Sequence, residues 1–139
     1  MGKSWSTFEH PADLGLSAEA DSLAALLEAL GEGMSRQICD GRGVSPKRSV
    51  AVEVVADDPE SLAVDFLSEL LKLFHLERFL VADVRVDACD ETSASATATG
   101  ETYDPDRHEL GAEIKAVTYH QIKIAREGEK WVGRVILDV

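Results

Sequence analysis

Asp58-Pro59-Glu60 opens the segment that most restricts how this chain can fold. An aspartate before a proline is a strong helix start. The carboxylate caps free amides, and proline sits at the first helical position, where its missing N–H costs nothing. Glu60 adds a negative charge at the positive end of the helix dipole. Leu62, Ala63, Phe66, Leu67, Leu70, Leu73 and Phe74 then recur at three- and four-residue steps, which predicts a helix over 59–76 with one broad apolar face. A face that wide must be covered by other elements.

The remaining pattern supplies the cover. Asp21-Ser22 opens a second amphipathic stripe at Leu23, Leu26, Leu27, Leu30, Met34 and Ile38, a helix over 21–38 that Gly31 and Gly33 weaken by about 1 kcal/mol each. Strands are predicted over 50–56, 79–88 and 93–99. The last of these, Ser93 to Thr99, alternates small residues with a period of two, which suggests close approach by a helix. Two closing strands, 114–125 and 131–138, flank the turn Arg126-Glu127-Gly128-Glu129-Lys130. The expected fold is α+β, a single domain over 1–139 with two helices packed on a mostly antiparallel sheet.

Composition narrows the function. Carboxylates outnumber Lys and Arg 26 to 14, a net charge of −12, which disfavours direct nucleic-acid binding unless the cations cluster. Cys39 and Cys89 are too few for a disulfide framework or a zinc site and read as reduced thiols of a cytoplasmic protein. No apolar run reaches membrane-spanning length. Met1 to Ser6 fits the loose myristoylation pattern, but no basic stretch follows to supply a second membrane signal.

Three segments carry the chemistry. Asp13 follows Phe8-Glu9-His10-Pro11-Ala12, Asp138 ends the run Val135-Ile136-Leu137, and Val139 follows it. If the first and last strands are neighbours, Asp13, Asp138 and the oxygens of Val139 converge as donors for a hard cation such as calcium, which takes six to eight oxygens. A solvated terminal Asp138 and a turn-forming Asp13 explain the same residues without a metal. His10, three residues before Asp13, reads as a ligand partner or a structural histidine. Glu113 and Lys115, two apart, aim together at a ligand or form a surface salt bridge. With His108 from the preceding polar loop they are expected at one loop end. No nucleophile elbow, phosphate loop or zinc motif accompanies them.

Taken together, the blocks Phe8-Glu9-His10, Ala12-Asp13, Gly15, Leu67, Leu70-Leu71, Gly100-Glu101, His108, Glu113 to His120 and Ile136 to Val139 resemble the archease family over essentially the whole length. Pro11 departs from the family's usual threonine and removes a hydroxyl and an amide beside the acidic site. The resemblance implies an accessory protein, not itself an enzyme, that activates the RtcB-type GTP-dependent tRNA-splicing ligase. That role is to promote guanylylation of the ligase's active-site histidine and repeated turnover. It also implies a metal site on Asp13, Asp138 and Val139, holding calcium or magnesium, with manganese an option in the ligase complex. A stand-alone metal-dependent hydrolase and a general chaperone or interaction module are the competing readings.

Overall fold

The chain folds as two antiparallel sheets whose strands are bridged by both helices. The computed structural model describes residues 2–10, 13–40 and 43–139, with Glu9 and His10 in their backbone only, so Pro11 lies outside the described residues. Strands β1 (Lys3–His10), β2 (Asp13–Ala20), β6 (Ala116–Val117), β7 (Lys123–Glu127) and β8 (Lys130–Asp138) form the first sheet. Their order is β1-β2-β8, with β6 and β7 both paired to the far edge of β8. The second sheet, β3 (Arg48–Val55), β5 (Ser93–Thr102) and β4 (Phe79–Asp90), runs in that order.

Helix α1 (Leu23–Ile38) and helix α2 (Pro59–Glu77) match the predicted pair, and the expected α+β fold is what the chain adopts. Both ends of α2 are fixed locally. Asp58 accepts the Ser61 amide at 2.7 Å, and Arg78 closes the helix with φ at 54°. Ser22, not Asp21, caps α1 by accepting the Ala25 amide. Each helix touches strands of both sheets, so Leu26, Leu27, Leu30, Leu62, Phe66 and Leu67 share one core with Leu16, Val135 and Leu137. Gly31 lets α1 approach Leu70 of α2, where an added Cβ would fall 2.9 Å from a methyl carbon. What Gly31 loses in helix propensity it returns as close packing.

Two expectations change. The strand predicted over 114–125 is broken, because Thr118 folds back to donate both its amide and its hydroxyl to the Ile136 carbonyl, and Gln121 turns with φ at 53°. Only 116–117 and 123–127 remain as strand. The strand next to the last one is β2, not the first, because β1 folds back on β2 as a hairpin and takes the sheet edge.

Candidate metal-binding edge

Register places the two aspartates side by side. Asp13 pairs with Asp138 across β2 and β8, Ala116 pairs with Asp138 from the other side, and His10 stands opposite Asp13 on β1. Residues directly opposed on neighbouring strands share a face, with Cβ atoms about 4.5–5.5 Å apart. Val135 and Leu137 are fully buried towards the helices, so Asp138 points to the opposite, outer face, and Asp13 with it. Two carboxylates so placed repel one another, and a divalent cation between them relieves the repulsion. Both side chains are partly exposed, and Val139 lies just beyond, 39 % exposed. Among the described residues no group of three or more His, Cys, Asp or Glu is poised around a metal.

Lys115 reaches this edge through the backbone. Its amide donates to the Asp138 carbonyl at 2.7 Å, one residue before β6 begins. Ile114 is buried at 2 % exposure, which turns Glu113 and Lys115 on either side of it out to solvent. The two form no ion pair with each other among the described residues. The surface salt bridge that would have explained them without a function is absent there.

His108 belongs elsewhere. It is buried at 5 % exposure, its Nδ1 accepting the Asp104 amide at 2.9 Å and its Nε2 facing Glu101 at 3.0 Å. A ring nitrogen that accepts an amide carries no proton, so the proton sits on Nε2 and is donated to Glu101. The structure therefore brings Lys115 to the edge of β8, leaves Glu113 exposed beside His75 and Arg78 at the end of α2, and holds His108 inside a clamp.

The clamp is the feature that spacing did not reveal. Glu101, 4 % exposed, accepts two hydrogen bonds from Arg107 at 2.9 and 2.6 Å and the Ser45 amide at 2.6 Å. Lys47 approaches at 3.5 Å. The Arg107 guanidinium, then the Ser45 amide, hold the Glu101 carboxyl far below the usual carboxylate range. Gly100 is needed beside it, since a Cβ there would come within 1.8 Å of the Leu80 carbonyl oxygen. From the clamp the chain is pinned stepwise to the aspartate edge. Gly111 and Ala112 donate to the Ile38 and Gln37 carbonyls that end α1, and His75 donates to the Ile114 carbonyl at 2.9 Å. A sequence sign existed in Gly100-Glu101 and His108, but the partners Ser45 and Arg107 come from different loops.

Comparison with known proteins identifies the family. Residues 5–139 match the model of the archease protein family (MTH1598/TM1083). Protein archease of Methanosarcina acetivorans is 36 % identical over 100 % of this chain and 98 % of its own, and that of Pyrococcus furiosus is 33 % identical over 99 % of both. The solution structure of Methanobacterium thermoautotrophicum protein 1598 superposes with a TM-score of 0.80 at 31 % identity, covering 97 % of this chain and 98 % of that one. A Thermotoga maritima archease, named a possible chaperone, shares the fold at a TM-score of 0.66 and 21 % identity, covering 95 % and 94 %. With a family match over nearly its whole length and relatives above 30 % identity along it, the chain belongs to the archease family.

Proposed function

We propose that this protein activates an RtcB-type GTP-dependent tRNA-splicing ligase by promoting guanylylation of the ligase histidine and its repeated turnover. Family membership supports the reading, and the observation that carries it is the opposed pair Asp13–Asp138 with the Lys115 amide bound to the Asp138 carbonyl. The donor set fits a hard divalent cation, calcium or magnesium, or manganese when the ligase supplies it. It consists of carboxylate and main-chain oxygens with no thiolate, because Cys39 is buried and Cys89 lies on β4 of the other sheet. Asp13, Asp138 and the Val139 oxygens would hold the ion. A bound cation would neutralise phosphate charge during nucleotidyl transfer. Lys115 offers an ammonium to a phosphate or to the partner surface, Glu113 a carboxylate to a partner cation, and the clamp with His108 fixes the segment that carries both.

The chaperone reading that the Thermotoga name suggests has less support. Among the described residues the exposed large hydrophobics, Val55, Leu76, Leu110, Tyr119 and Val139, are scattered over β3, α2, two loops and the last position, whereas broad client capture needs a contiguous apolar patch. The test is ligase guanylylation with and without this protein. Acceleration by the wild type and none by Asp138→Ala supports the reading. Equal rates with and without the wild type reject it.

A further inference from the structure

The outer face of the first sheet carries a second polar row, away from the aspartates. Ser6 pairs with Ser17, Ser17 with Arg134, and Arg134 with Lys123, so four donors stand side by side on β1, β2, β8 and β7. At about 4.8 Å between strands, the row is about 14 Å long. Arg134 lies four residues from Asp138 on the same strand and the same face, about 13 Å away. Gly133 faces Leu26 and Leu30 of α1, which confirms that Arg134 points outward.

Arg134 is held but not satisfied. Its guanidinium carbon sits 4.1 Å from the centroid of the Phe8 ring, and Phe8 lies against Gly15, where an added Cβ would come within 2.3 Å of ring carbons. Among the described residues no ion pair or hydrogen bond engages the guanidinium. An arginine stacked on an aromatic face keeps its in-plane N–H donors free for an oxyanion. The Ser6 and Ser17 hydroxyls, 2.9 Å apart, add two donors that rotate to suit a ligand. Lys123 is paired with Glu127, but an exposed pair of that kind exchanges readily for a better anion.

We propose that Ser6, Ser17, Arg134 and Lys123 form a binding site for the phosphate groups of a small ligand, a mononucleotide or free pyrophosphate. The row lines an open depression of about 330 Å³, at the lower end of small-ligand sites. Lys123 and Arg134 line the depression together with Glu19 and Glu127, so the attraction for an anion comes from the converging N–H and O–H donors of the row and not from a net positive charge. Glu19 and Glu127 flank the depression and repel the extended phosphate backbone of a nucleic acid, which favours a compact ligand.

Amide NMR of the full chain, titrated at constant ionic strength with pyrophosphate and separately with GTP, reads the site directly. Saturable shifts at residues 6, 17, 123 and 134 are expected with at least one of the two. Saturation by GTP alone identifies the nucleotide as the source, and saturation by pyrophosphate alone or by both identifies the phosphate group. Arg134→Gln should weaken binding about tenfold or more, and Arg134→Lys should recover part of the loss. Lys123→Gln should weaken it less, and it provides the test if Arg134→Gln lowers the melting temperature sharply. Shifts reproduced by chloride, or full affinity in both charge-removing variants, would overturn the site, and a short single-stranded RNA binding more tightly than either ligand would overturn the small-ligand assignment. No ligase enters the measurement, so its outcome is independent of the proposed activation.

Discussion

Glu101 is a carboxylate that the fold keeps charged. Because Arg107, the Ser45 amide and His108 favour its charged form in the folded state, an unfolded chain takes up a proton that the native protein refuses. The contribution of Glu101 is therefore fully present above its ordinary value of 4.5 and is lost as pH falls below it. Melting followed from pH 6 to pH 3 should show a steeper decline for wild type than for Glu101→Gln. Identical slopes would remove the clamp's electrostatic role. The Asp13–Asp138 pair has a different character, since two facing carboxylates gain from a cation placed between them. Millimolar calcium should raise the melting temperature of wild type and leave Asp138→Asn unmoved, and without metal Asp138→Asn should melt no lower than wild type. These two sites differed in how far residues alone disclosed them. Asp13 and Asp138 stood out as carboxylates beside apolar runs, whereas Glu101 needs partners at 45, 107 and 108 that only the tertiary fold assembles.

Elements were legible where their signals were local. Asp58, Pro59 and the stripe from Leu62 to Phe74 placed α2 to within a residue at its end, because caps and periodicity act over single turns. Removing the cap with Asp58→Ala should cost about 1 kcal/mol in chemical denaturation, with the native structure retained. A cost below about 0.3 kcal/mol would mean that packing alone sets the helix start. The segment 114–125 departs from the expected single strand for the complementary reason. Its apolar pattern suits a strand, but Thr118 is diverted by hydrogen bonds to Ile136, a residue of another strand. The β1–β2 hairpin likewise moved Asp13 from the first strand to the second, and the register that put it beside Asp138 depends on β8 inserting next to β2. Strand order is a non-local property, and no run of adjacent residues encodes it.

At the scale of the whole molecule, one sheet face gathers the groups with the most evident chemistry. The aspartate pair and the Ser6–Ser17–Arg134–Lys123 row share the outer face of the first sheet, while the helices seal its inner face. Lys115 is delivered to the aspartate end by a segment pinned at the clamp, at the end of α1 and at His75. This arrangement separates stability from function. Lys115→Ala removes an exposed side chain that forms no ion pair among the described residues and leaves the backbone bond to Asp138 intact, so it should change the melting temperature little. The same substitution should cut stimulation of guanylylation at least severalfold. The most direct measurement is the rate of ligase histidine guanylylation by GTP, compared among wild type, Lys115→Ala and Asp13→Ala/Asp138→Ala, each verified as folded by its melting curve. The account predicts acceleration by wild type, a reduced effect of Lys115→Ala, and none from the double variant. Full acceleration by the folded double variant would contradict it.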